Sequence, residues 1–265
     1  MKFVSFLIRK TIKLRFSILY SIARFSNSGR SELLKLRKSF KPQPWLVVAN
    51  GPSLNNTPLE KFTGYPSIGM NKIDLIFRKT KWRPTLITCI NSLVVKQNSE
   101  IFKNSDIPIF LGWKNRLFQK RSNKGNIFYF PQKPTTKFSV DSSEWIAGFG
   151  CTVTYTALQI AYFLNATKVI IVGMDHNFNT DPNRREIVRA EGPDMNHFAK
   201  DYFKSGVLWG LPDLKGSEAA YKLARKAYEK DGREILDATI DGKCKVFKKI
   251  EMNEALEIFN NHHKL

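Results

Sequence analysis

The chain has 265 residues, 42% of them hydrophobic and 20 of them Phe, which is enough to bury a core and excludes global disorder. Lys and Arg outnumber Asp and Glu by 43 to 23, and a net charge of +20 points to an anionic surface or ligand. Three widely spaced cysteines, Cys89, Cys151 and Cys244, form no CxxC and no Cys/His cluster, so neither a disulfide framework nor a zinc site is supported, and a reducing compartment is expected.

The charge is uneven. Residues 1–42 carry 11 Lys/Arg against one acid, Glu32, so half of the net charge lies in about a sixth of the chain. Within them, 3–25 reads as a basic amphipathic helix, suited to a membrane interface or to packing on the body of the protein. No apolar run reaches the roughly 18 residues of a membrane span. The short apolar start before Arg9-Lys10 predicts no signal peptide. Residues 30–44, closing on Lys41-Pro42-Gln43-Pro44, read as a linker.

The body then alternates. Strands are expected at 45–49, 67–70, 85–90, 107–111, 126–130, 168–172 and 233–237, and helices at 92–102, 152–164 and 214–230. That alternation predicts a mostly parallel sheet with both faces covered. Helix 152–164 is apolar on most faces and is expected to be buried. Segment 176–213 has no convincing period and is rich in charge, Asn, Gly and Pro. A loop of this length is usually functional or disordered.

Several strand ends carry small polar residues, at Asn50-Gly51-Pro52-Ser53, Met70-Asn71, Ile90-Asn91 and Gly173-Met174-Asp175. Together they predict one ligand crevice. Neither a P-loop nor a dinucleotide fingerprint is present. Asn50, Gly51 and Ser53 suit a phosphate or ribose, or form an ordinary strand-to-helix turn capped by Ser53. Gly148-Phe149-Gly150-Cys151-Thr152 heads the buried helix, where free N–H groups favour an anion; Thr152 as a simple cap is the alternative. Cys151 reads as packing rather than as a nucleophile. Asp175 can orient a hydroxyl or a histidine, or cap the next turn. No second Asp lies two residues away, so no metal site is expected. His176 and His197 are the candidate bases, with an unperturbed pKa of about 6.5. His262 and His263 are assigned to a frayed tail.

The ordered set Ala49-Asn50-Gly51-Pro52-Ser53-Leu54, Gly69-Met70-Asn71, Asn91-Ser92, Gly148–Thr152 and Gly173-Met174-Asp175 resembles the bacterial family-42 sialyltransferases. It equally resembles the wider group of motility accessory factor glycosyltransferases and archaeal 6-hydroxymethylpterin diphosphokinase-like proteins (the DUF115 domain). The resemblance covers about residues 45–255. It implies that Asn50 and Ser53 contact the nucleotide phosphate and ribose, and that Asn71 and Asn91 line the donor pocket. It places Gly150, Cys151 and Thr152 at a Thr-Ser-Gly run, and Asp175 at the Asp after the late strand. It departs at the base: the lid His of the sialyltransferases falls at Leu208-Trp209 here, and His197 lies upstream.

The resulting expectation is a single α/β, Rossmann-like domain at 45–265, a sialyltransferase-like GT-A variant, with a lid at about 176–213 and a basic N-terminal segment at 1–44. The function expected from the resemblance is transfer of a nonulosonic acid from a CMP-sugar to a cell-surface glycan or lipopolysaccharide acceptor, with no required cofactor and no metal. His197 would be the base. Residues 2–41 would hold the enzyme to an anionic membrane, at the cytoplasmic face of the bacterial plasma membrane. Homo-oligomerisation stays open. The alternatives are an ATP- and Mg-dependent pterin diphosphokinase-like enzyme, and a nucleic-acid-binding protein. The last is disfavoured because the basic residues interleave with aliphatics rather than with a stacking platform.

Overall fold

The computed structural model describes residues 28–148, 151–178 and 186–263. The expected helix at 3–25, Gly150, and part of the expected lid, 179–185, lie outside the described residues.

Eight strands form one sheet in which every pairing is parallel. They are β1 (Gln43–Val48), β2 (Ser67–Met70), β3 (Leu86–Cys89), β4 (Ile109–Gly112), β5 (Ile127–Phe130), β8 (Ala166–Val172), β11 (Glu234–Asp237) and β12 (Lys248–Lys249). Two short pairs stand apart: β6 (Gln132–Lys133) with β7 (Ile146–Ala147), and the hairpin β9 (Ile187–Arg189) with β10 (Leu208–Gly210). The helices are α1 (Ser28–Ser39), α2 (Ser92–Lys103), α3 (Val153–Phe163), α4 (Leu214–Lys230) and α5 (Met252–His263). The α/β, Rossmann-like class read from the alternation is the observed one.

Sheet order is β12-β11-β8-β1-β2-β3-β4-β5. The chain therefore winds outward from β1 to β5, then returns to β8 on the other side of β1 and winds to β12. A crevice opens where the winding reverses, outside the carboxyl ends of β1 and β8. The pleat sends alternate residues of the central strands to two cores. Trp45 and Val47 face one, with Phe163, Tyr155 and Tyr228; Leu46 and Val48 face the other, with Phe102, Phe259 and Tyr202. Strands buried on both faces need no polar alternation, which is why Trp45–Val48 and Val169–Val172 read as unbroken apolar runs.

Two readings are corrected. Residues 30–44 are not a linker: α1 occupies most of them, with Leu33 fully buried in the core. Gly29 lies so close to the Tyr129 carbonyl that any side chain there would collide with the backbone of β5. The periodicity was hidden because Leu33 is the one large α1 side chain that is deeply buried among the described residues, while Lys35, Arg37 and Lys38 are exposed. His262 and His263 end a full helix, α5, whose Phe259 packs edge-on against Phe62 at 5.5 Å.

α3 is buried along almost its whole length. Among its buried polar residues, Gln159 is fully enclosed. Gln159 Oε1 accepts the N–H groups of Ser139 and Ala147, each at 3.0 Å, and Nε2 donates to Tyr155 O at 3.0 Å. The amide thus pins the segment 131–147 over α3. Gln159→Leu keeps the volume but strands two buried donors, so the protein is expected to lose about 2–4 kcal/mol of stability in urea unfolding. A variant as stable as the parent would show that these N–H groups find other partners.

Candidate functional site

The crevice holds a cavity of about 160 Å³ at the ends of β1 and β8, closed by the first turns of α3 and α4 and by the segment 194–203. Asn50, Gly51, Cys151, Thr152, Asp175, His176 and His197 all line it. Ser53 lies one layer behind. Asn71 and Asn91 do not reach the wall: Asn71 follows β2 in a left-handed conformation, φ 52°, and Asn91 caps α2 by accepting Leu93 N–H at 3.0 Å. Gly150 lies outside the described residues.

The β1–β8 junction is tied by Asp175. Both carboxylate oxygens accept from Ser53, one from its N–H at 2.9 Å and one from its hydroxyl at 2.6 Å. The turn can pass this close only because residue 51 is glycine: a Cβ there would land on the Asp175 carboxylate. Gly51 N–H donates to Gly173 O at 2.8 Å, and Gly173 itself takes φ 71°. Asp175 and Ser53 are therefore partners of each other. Their clamp shapes the wall.

Asn50 is 8% exposed. Its Nδ2 donates to Met70 O at 3.1 Å, which fixes the amide's orientation, and its Oδ1 is buried with no partner among the described residues. A buried, unpaired acceptor costs free energy unless a ligand donates to it. Across the cavity, Thr152 caps α3 by accepting Thr154 N–H at 3.2 Å. The first turn of α3 still has N–H groups without intrahelical partners, and no acid lies there to neutralise them. Cys151, with φ 59°, is exposed at the entrance.

Two histidines complete the wall, each oriented by a carboxylate. His176, in a left-handed conformation at φ 54°, bonds Glu218 of α4 through Nε2 at 3.0 Å. His197 bonds Asp194 through Nδ1 at 2.9 Å. Burial raises the Asp194 carboxyl, but hydrogen bonds from His197 and from the N–H groups of Asn196 and Phe203 outweigh it and hold the pKa below its usual value. An ionised Asp194 can only accept, so Nδ1 carries the proton and Nε2 is left as the basic nitrogen. The His197 ring lies flat on Tyr202, centroids 4.0 Å apart and 4° from parallel, with Phe203 and Trp209 at its edges.

Asp194 was missed in the sequence. Its signal is the spacing to His197, an acid three residues before a base in a loop, which is common enough to pass unnoticed. Lys72 left no signal at all. It is 9% exposed at the end of β2, donates from Nζ to Tyr202 O at 2.8 Å, and lies 4.9 Å from the centre of the Phe203 ring. It ties the segment carrying His197 to the sheet.

Burial lowers the Lys72 pKa to about 8 against the ordinary 10.5, with Asp74 and Asp194 opposing the shift. Below pH 8 both folded and unfolded chains hold this proton, and the full cost of burying the cation is present. As pH rises from 8 to 10.5 the folded chain releases it first and the cost disappears. The stability of the parent relative to Lys72→Met is expected to rise across that window, by about 1–3 kcal/mol. A flat difference in urea unfolding at pH 8 and above would show that Lys72 is solvated.

The family model described as 6-hydroxymethylpterin diphosphokinase MptE-like matches residues 21–181, more than half of the chain. The match covers α1, the sheet from β1 to β8, and the Asn50, Asp175 and His176 side of the crevice, and it stops before Asp194 and His197. Neither a search of curated proteins nor one of solved structures found a match. The chain belongs to the 6-hydroxymethylpterin diphosphokinase MptE-like family.

Proposed function

We propose that the protein is a transferase that moves a group from a nucleotide-linked donor to the hydroxyl of an acceptor, with His197 as the general base. The observation that carries this reading is the Asp194–His197 pair on the wall of the switch-point cavity. The side chains are 5% and 14% exposed, the carboxylate fixes the tautomer, and Nε2 remains to take a proton. A base oriented by a third group is the arrangement that activates a hydroxyl near neutral pH.

Within that class we favour glycosyl transfer from a CMP-linked sugar, a nonulosonic acid by resemblance. The wall offers short neutral side chains, Thr152, Thr154 and Ser217, and the N-terminal N–H groups of α3, a set suited to one leaving phosphate. The orphan Oδ1 of Asn50 is an acceptor and so suits a ribose hydroxyl or a base amino group rather than a phosphate oxygen. A second hollow of about 340 Å³, lined by Asp194, Asn196, Phe203 and Trp209, lies beside the first and shares Asn196 with it, offering the acceptor a path. The second reading is transfer of diphosphate from ATP to a hydroxymethyl group, as the family description names it. It asks the same of His197 and adds Mg²⁺ at the phosphates. Asp175 and Asp213 are the acids that line the cavity; both oxygens of Asp175 are engaged by Ser53, and Asp213 accepts Gly216 N–H at 2.8 Å as the cap of α4.

Calorimetric titration separates the two. CMP is expected to bind without added metal, and Asn50→Ala to weaken it while the protein stays folded, with a modest loss of stability from the freed Met70 carbonyl. Affinity for ATP with Mg²⁺ alone would reverse the choice of donor. His197→Ala is expected to lower turnover on the order of 10²-fold while nucleotide affinity stays. Near-normal turnover in His197→Ala with loss in His176→Ala would move the base to the Glu218-oriented histidine.

A further inference from the structure

The turn after β4 presents Leu117, 75% exposed, the most exposed large apolar side chain among the described residues, and beside it Phe118 at 43%. They end a short 3-10 turn, Trp113–Leu117. From 113 to 124 the chain carries five cations, Lys114, Arg116, Lys120, Arg121 and Lys124, and no acid. Single exposed apolar residues are ordinary, but an adjacent pair ringed by cations is not.

The turn is held rigidly. Phe118 N–H and Gln119 N–H both donate to Asn115 O, at 3.0 and 3.1 Å. The Gln119 side chain donates to Ser99 O at 3.0 Å, and Lys120 N–H to Ser99 Oγ at 2.9 Å. Asn115 is itself fully buried, donating to Ile90 O at 3.2 Å and accepting the Ser92 hydroxyl at 2.7 Å. This backbone fixes the apolar pair outward, where the body of the protein cannot cover it. Ile101, 51% exposed, stands on the same stretch of α2 that anchors the turn. Lys120 pairs with Glu100, Lys124 with Asp106 at 2.5 Å, and Arg116 lies over the Trp113 ring at 4.6 Å. Arg121 is exposed and has no ion-pair partner among the described residues. All eight strands are parallel, so the end of β4 and the candidate cavity lie on one rim of the sheet.

We propose that this turn is a shallow membrane anchor. Leu117 and Phe118 enter the interface of an anionic bilayer while Arg116, Lys120, Arg121 and Lys124 meet the headgroups. The occupant is a lipid surface because the patch is cationic as well as apolar, on a chain of net charge +20. The anchor is independent of the transferase reading and of residues 2–41. It would turn the rim that carries the cavity toward the headgroup layer, where an acceptor displayed on lipid is within reach.

The test uses the full chain and vesicles of phosphatidylcholine with and without phosphatidylglycerol. Phe118→Trp is expected to gain fluorescence that brominated lipids quench, over the signal of the parent, only when phosphatidylglycerol is present. Leu117→Ser with Phe118→Ser is expected to weaken vesicle binding by about tenfold or more at unchanged melting temperature. Arg116→Glu with Arg121→Glu is expected to weaken it in anionic vesicles specifically. Vesicle binding with an unquenched Phe118→Trp, or a double Ser variant that pellets like the parent, would overturn the proposal. So would a homodimer that the Ser variant dissolves and whose Phe118→Trp signal lipids do not touch.

Discussion

The site depends on one contact, the acceptance of both Ser53 donors by the Asp175 carboxylate across the β1–β8 seam. A parallel sheet that reverses its winding leaves a gap between the connections leaving the two strands at the reversal. The backbone bonds across it run only as far as Gly51 N–H to Gly173 O, at 2.8 Å. Asp175 closes it with two hydrogen bonds to one residue, and Gly51 permits the approach because it has no Cβ. The rest of the wall follows from it. Met174 N–H reaches Thr239 Oγ1 at 3.0 Å, and Lys243 N–H reaches Asp175 O at 2.8 Å, so the β11 end of the sheet is bound to the same seam.

The segment 194–203 is joined to the strand ends on either side of this seam. Phe198 N–H donates to Asn50 O at 3.0 Å, directly beside His197. Lys72, at the end of β2, grips Tyr202, on whose ring His197 rests. His197 and the Asn50 amide are therefore set by one short stretch of chain docked on two adjacent strand ends. The Asn50 and His197 sides of the cavity cannot shift independently.

Much of the fold was legible because its strands and helices obey local rules. β2 and α4 were read to the residue, since four fully buried residues flanked by Pro66 and Asn71, and a Leu214-to-Lys230 period, leave little choice. The site was legible as strand ends, because a crevice at parallel carboxyl ends is a consequence of topology. Asn50, Gly51, Asp175 and His197 are brought together as a set read from the sequence. What was not legible is pairwise. That Asp175 spends its carboxylate on Ser53, 122 positions away, or that Lys72 is buried under Tyr202, depends on which residues meet in space. Helix α1 escaped for a different reason: a helix that buries one large side chain deeply has too little period to be seen.

Helix α3 contains no ionisable acid or base along Val153–Phe163 other than two tyrosines, Tyr155 and Tyr162, whose pKa values burial pushes upward. Its backbone runs through the core, and no acid of its own first turn offsets the dipole at the cavity end. A lysine or arginine in that place would hold an anion by a charge that salt screens and mobile water competes for. The helix instead offers a fixed field built from peptide groups, the same in acid as in alkali and insensitive to the ionic atmosphere outside. Whatever pH or salt dependence the crevice shows is then a property of the residues around the helix, and the helix's own field is a constant of the fold.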